Sequence, residues 1–192
     1  MKLTTMISLM LEGMGGTCSI FFLTLLFSLP LGMIVALLRM SKNKVVSNLT
    51  RAVISVLRGT PLMLQLIAVT YGPYYLWQLS VSKNKLIPVV IAFSINYAAY
   101  FAEIYRSGIE SIPAGQYEAA EILGYSKVQT FFRIILPQVI KRIMPSVTNE
   151  VVTLVKDTSM AFTVSYMEMF TIGKNLANSQ TSFMPFIVAG VF

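Results

Sequence analysis

The chain alternates between long uncharged runs and shorter polar connections. Residues 13–38 carry no charge; a helix needs about 20 apolar residues to cross the hydrocarbon core, so this run spans with margin. Pro30 is expected to kink it and free backbone groups that need other partners. A second uncharged run, 59–82, ends among Tyr71, Tyr74, Tyr75 and Trp77. Such aromatic side chains collect at a membrane interface. The third run, 86–102, is lengthened by Glu103 and Arg106, spaced i,i+3 to pair on one face, and predicts a helix over 86–109. Residues 110–142 are too polar for the hydrocarbon core and too patterned to be disordered. The fourth run, 143–155, is interrupted by Glu150 and followed by Lys156 and Asp157. Residues 160–176 are mixed and read as a short outer segment. The last run starts near Asn178 and is still apolar at Phe192, so the final span is expected to be truncated. The pattern predicts an all-α membrane protein of about five transmembrane helices, with residues 1–192 forming one transmembrane domain.

Composition agrees. Of 192 residues, 55% are hydrophobic and 12% charged, about half the charge of an ordinary soluble domain. There is no histidine, which removes a Ser-His-Asp triad and a His-ligated zinc site. The single cysteine, Cys18, lies in an apolar run, so it is read as a packing residue and no disulfide framework or metal site is expected. The twelve methionines are read as adaptable packing. Lys2 precedes the first run without a small-residue cleavage site, so that run is read as a retained span.

The net charge of +7 points to membrane orientation rather than nucleic acid. Arg39, Lys42, Lys44, Arg51 and Arg58 follow the first span, which places that connection in the cytoplasm and the N-terminus outside. Lys83 and Lys85 fall outside on this reading, against the rule, but the inner side holds more basic residues.

The connection at about 110–137 has helical punctuation. Pro113 closes the third helix. Residues 117–123 support a short helix, with Glu118, Ala119, Ala120 and Glu121 as good formers. Gly124 is placed to end it in a left-handed conformation. Ser126 caps a second helix, and Gln129 three residues on completes a capping box. Val128, Phe131, Phe132 and Ile135 make one apolar stripe, and Pro137 marks entry to the next span. Two short helices joined at a glycine make a rigid knob; an amphipathic interfacial hairpin would share these features.

Within this connection, residues 118–137 read EAAEILGYSKVQTFFRIILP. The run resembles the EAA loop of the permease subunits of ABC importers. Three more segments agree. Arg58-Gly59-Thr60-Pro61 with Leu62, Leu64 and Gln65 resembles the opening of the second core span of polar amino-acid permeases. Residues 102–113 (AEIYRSGIESIP) are similar to the run leading into the same loop. Asn149-Glu150 through Lys156-Asp157-Thr158-Ser159 is similar to the family's NE…LKDTSL run, with Met160 where leucine is usual. Together they favour the histidine/glutamine/arginine-type branch. The resemblance implies the five-helix type I (MetI-like) permease fold in a bacterial plasma membrane. It implies a second permease copy or paralogue, two ABC ATPase subunits carrying ATP and Mg, and an extracytoplasmic solute-binding protein. Glu118, Ala119, Ala120, Gly124, Tyr125 and Ser126 would be the ATPase-coupling element of a chain that is not itself an enzyme; no Walker-type sequence is present.

Glu150 and Asp157 are seven residues apart, close to two helical turns, so their carboxylates share a face. A charge inside a bilayer costs at least about 2.5–3.5 kcal/mol, so such groups face a cavity or a partner. They are candidates to bind a substrate ammonium, with Asn149, Thr158 and Ser159 offering hydrogen bonds. The plainer alternatives are that Glu150 pairs with a neighbouring cation and that Asp157 lies in the headgroup zone. Glu103 and Arg106 are read as a structural pair, and Arg58 as a topological anchor. An ion-coupled secondary carrier, or a membrane anchor subunit that moves nothing, remain as alternative functions.

Overall fold

The computed structural model describes residues 3–80 and 83–191, and all of Leu3 except its side chain. Lys2 and the chain end at Phe192 lie outside the described residues. The elements, in order, are α1 (Leu3–Arg39), α2 (Lys44–Gly59), α3 (Leu62–Trp77), α4 (Leu86–Glu110), α5 (Ala114–Ile122) and α6 (Lys127–Gln129). A π turn (Thr130–Ile135), α7 (Leu136–Asp157), a 3-10 turn (Thr158–Val164), α8 (Met169–Gln180) and α9 (Met184–Val191) follow. Among the described residues there is no strand.

The first and third predicted spans appear as α1 and α4. Each is long and apolar enough to cross a membrane alone. α1 runs unbroken through Pro30. α2 and α3, taken together across Thr60 and Pro61, make a third candidate. α7, at 22 residues, is long enough but carries Lys141, Arg142, Glu150, Lys156 and Asp157, so length and hydropathy identify two or three spans rather than five. Residues 44–59, read above as a connection, are helical because their apolar residues recur at helical spacing: Val45, Leu49, Val53 and Val56 line one exposed face. Cys18 is exposed rather than packed.

The chain forms two compact units. One comprises Met1–Phe27, Thr60–Asn96 and Val152–Phe192. Its fully buried side chains include Met10, Ile20, Leu66, Phe93 and Leu154. Gly13 lets α1 approach the start of α8, where an added Cβ would lie 2.8 Å from the Met169 Cα, and the Met169 N–H donates to Thr17 Oγ1 at 3.2 Å. Glu168 is 1% exposed and caps α8 by accepting from the Phe170 and Thr171 N–H groups at 2.7 and 2.6 Å. Gln65, near the start of α3, accepts from Asn96 Nδ2 at 3.1 Å.

The other unit comprises Ser28–Gly59 and Tyr97–Val151. Gly32 brings α1 against α4, where an added Cβ would lie 2.8 Å from Phe101 Cβ. Tyr97, Phe101 and Tyr105 line up along the buried side of α4. The expected Glu103–Arg106 pair forms, with Arg106 Nη2 2.6 Å from Glu103 Oε2.

Candidate functional site

The connection between α4 and α7 is built by local rules. Pro113 is the N-cap of α5, with an extended backbone at φ −60° and ψ 141°; it lies outside the helix, and it turns the residue before it away from helical geometry, which separates α4 from α5. α5 begins at Ala114, three residues before the helix expected from 117. Its end is a Schellman motif: the Gly124 N–H donates to the Glu121 carbonyl at 2.9 Å and the Tyr125 N–H to the Ala120 carbonyl at 3.0 Å. Gly124 has φ +77°, the left-handed region that side chains resist. Two residues later Ser126 caps α6 in a full capping box: the Gln129 N–H donates to Ser126 Oγ at 3.3 Å, and the Ser126 N–H donates to Gln129 Oε1 at 2.9 Å.

The second helix does not stop at Pro137. The path runs from α6 through the π turn into α7 without a break. The Leu136 N–H reaches back five residues to the Phe131 carbonyl. Pro137 cannot donate and would crowd the carbonyl four residues before it; the wider turn immediately ahead is one way a helix accommodates that.

The connection is held to the helices at both ends. Ile112, Ile135 and Val139 form a buried cluster, with Ile109, Phe131, Ile134 and Ile143 packed against it. Arg142 donates to the Ser111 carbonyl and to Ser111 Oγ. Gln138 Nε2 donates to Gln116 Oε1 at 3.1 Å. Gly108 makes room for α7, since an added Cβ would lie 2.2 Å from Ile143 Cγ2.

Beyond these anchors the surface is open and apolar. Ile122 is 86% and Leu123 72% exposed, and Val128 and Phe132 are also exposed. Beside them lies a 510 Å³ cavity lined by Tyr117, Glu121, Tyr125, Ser126, Lys127 and Phe131, together with Thr130. Of the six candidate coupling residues, Glu118, Ala119, Gly124, Tyr125 and Ser126 lie on this exposed surface. Ala120 is fully buried and contributes the carbonyl that closes the Schellman turn. Ile122 and Leu123 carry no role in the reading of the sequence; of the expected apolar stripe, Ile135 is buried whereas Val128 and Phe132 face outward. The signal is local: Ile122 and Leu123 stand side by side just before the glycine stop, about 100° apart around the helix, while Ala120 takes the buried side.

The path candidates lie along α7 and just past it. Glu150 and Asp157 are half-buried and Asn149 is exposed. Thr158 is buried, and its hydroxyl donates to the Val155 carbonyl at 2.7 Å. The Ser159 hydroxyl donates to the Lys156 carbonyl at 2.8 Å. Both hydroxyl protons are therefore committed to ending α7, which leaves these oxygens only as acceptors. Among the described residues, no group of three or more Cys, Asp or Glu side chains is placed to hold a metal ion.

Known proteins give a consistent picture. The family model described as "Binding-protein-dependent transport system inner membrane component" matches residues 28–192. The nopaline transport system permease protein NocM of Agrobacterium fabrum is 34% identical over 94% of this chain and 78% of its own length. The L-cystine transport system permease protein TcyL of Bacillus subtilis is 37% identical over 90% of this chain and 74% of its own. A crystal structure of an amino acid ABC transporter with histidines superposes with a TM-score of 0.87 at 28% identity, covering 100% of this chain and 90% of that one. The MetNI methionine ABC transporter, in an inward-facing conformation, superposes with a TM-score of 0.76 at 19% identity, which shows the shared MetI-like fold. The chain therefore belongs to the family of binding-protein-dependent transport system inner membrane components and is the permease subunit of an ABC importer.

Proposed function

We propose that this permease carries polar amino acids into a bacterial cell, with residues 1–192 working as one transmembrane domain. The relatives' names support the substrate class, and the four motifs between 58 and 159 support the histidine/glutamine/arginine-type branch. In this reading the N-terminus faces outward and the 110–137 connection faces the cytoplasm, which the basic residues of 39–58 favour. Two ATPase subunits carry ATP and Mg, a second permease copy or paralogue completes the path, and a solute-binding protein delivers the substrate outside.

The observation that carries the proposal is the α5–α6 knob. Its backbone is tied by a Schellman turn and a capping box, its base is fixed to α4 and α7, and its tip presents Ile122 and Leu123 to solvent. Large aliphatic side chains this exposed fit a docking surface, and a tied base moves as one piece with the helices. Closure of the ATPase dimer would then turn the path between its two access states, because nucleotide makes one arrangement of the docked knobs more favourable than the other. Glu118 and Glu121 add an exposed acidic edge to the same surface.

The test places a cysteine at Leu123 in an otherwise cysteine-free chain and crosslinks the transport-competent complex. A crosslink to the ATPase that changes in yield with ATP is expected. A complex that transports normally while Leu123 reaches only lipid or another permease would overturn the reading.

A further inference from the structure

We infer that the Arg39–Arg51–Arg58 cavity is a binding site for a phosphate-bearing anion, separate from both the coupling surface and the carboxylates of α7. The cavity is 410 Å³ and is lined by Arg39, Arg51, Ser55, Arg58, Tyr100 and Glu103, with Ile54 and Gly59 completing it. Three guanidinium groups face one carboxylate, and that carboxylate is already committed. Glu103 Oε2 accepts two bonds from Arg106, at 2.6 and 3.0 Å, and Glu103 Oε1 lies 3.8 Å from Arg39 Nε, beyond hydrogen-bond reach.

Arg39 and Arg58 are held in place, and one donor of Arg39 is left unsatisfied. Arg39 is fixed by a bond to Ser47 Oγ at 3.0 Å, and Ser47 Oγ donates back to the Arg39 carbonyl at 2.7 Å. Its Nε is nonetheless buried without a hydrogen-bond partner, which native proteins seldom leave so. The Arg58 guanidinium lies 4.9 Å from the centre of the Tyr100 ring, a cation–π contact that steadies the group without neutralising it. Arg51 forms no ion pair among the described residues. Arg51, Ser55 and Arg58 recur at i, i+4 and i+7, so α2 turns one basic face toward the cavity.

Clustered like charges repel unless an anion sits among them. Planar guanidinium donors match tetrahedral oxyanions, to which they can bond bidentately. The ligand chemistry is thus a phosphate ester, from a lipid head group or a free phosphorylated solute. The opposite face of α2 favours the lipid. Val45, Leu49, Val53 and Val56 are all exposed there, as on a helix lying at a bilayer surface, and basic pockets beside membrane helices take anionic head groups.

The test uses the full chain purified in detergent and stripped of lipid, with binding read by native mass spectrometry. Phosphatidylglycerol, phosphatidylcholine and inorganic phosphate are the probes. Saturable binding of one phosphatidylglycerol per chain is expected, with phosphatidylcholine far weaker. Affinity should fall about fivefold for each arginine removed in Arg51→Gln and Arg58→Gln, while Arg51→Lys loses less. Competition by inorganic phosphate at low millimolar concentration assigns the site to free phosphate and keeps the anion site. Both arginines are exposed, so the variants should fold; circular dichroism and size exclusion check this. Equal phosphatidylglycerol binding by the wild type and the folded double variant, or equal binding of phosphatidylcholine, would overturn the inference.

Discussion

Gly124 is the residue on which the α5–α6 knob turns. Nothing lies within 4 Å of a Cβ built there, so a side chain would meet no steric obstacle. The penalty is conformational: at φ +77° an L-residue pays about 1–2 kcal/mol, and a β-branched one is worst placed to do so. Gly124→Val should therefore loosen the Schellman turn while the helices on either side persist. In a reconstituted complex we expect ATP hydrolysis to continue and uptake to fall several-fold. Gly124→Asn, which tolerates the left-handed region, should keep most of the coupling. Paired measurements of hydrolysis and uptake on an assembled complex decide it, and full uptake by the valine variant would remove Gly124 from the mechanism.

At the scale of elements, the junction of α4 with α7 leaves no room for a side chain at Gly108. Gly108→Ala would bring a Cβ against the stiff, β-branched Ile143, and overpacking of this kind costs about 1–3 kcal/mol. Gly115, inside α5, has open space around it, so Gly115→Ala should be neutral or gain up to about 1 kcal/mol through helix propensity. Thermal unfolding of the two variants in detergent should separate them, with only Gly108→Ala losing stability. This level also shows what could be read from the chain alone. Gly124, Ser126 and Gln129 announce their roles because turn and cap chemistry is local, and all three take the conformations expected. α2 was hidden because five basic residues around it read as a loop, although Val45, Leu49, Val53 and Val56 carry helical spacing. The π turn had no local signature either. It becomes visible only when Pro137 is found inside a continuous helix rather than at its start.

For the molecule as a whole, the family was legible from spaced motifs, whereas the route of the substrate was not. Motif positions depend on local backbone needs that show in the spacing of the chain itself. A binding route depends on which faces meet a partner subunit, and one chain does not encode that face by face. Glu150 and Asp157 nonetheless stay half-buried on α7, where ionised groups are costly unless they serve a purpose. If they hold a substrate ammonium, Glu150→Gln and Asp157→Asn should each lower uptake about tenfold or more and shift the preference between basic and neutral amino acids. Uptake of a radiolabelled panel into proteoliposomes measures both. Unchanged rate and unchanged preference in both variants would return these carboxylates to a structural role.

The π turn between Thr130 and Ile135 carries a last consequence. A turn of this kind holds one more residue per cycle than the α-helix around it. The surplus residue acts as slack in an otherwise continuous rod. Losing it would shorten the rod by one link yet leave the faces of Val128 and Val139 in step, whereas a deletion in any flanking turn would rotate the knob relative to α7 by roughly 100°.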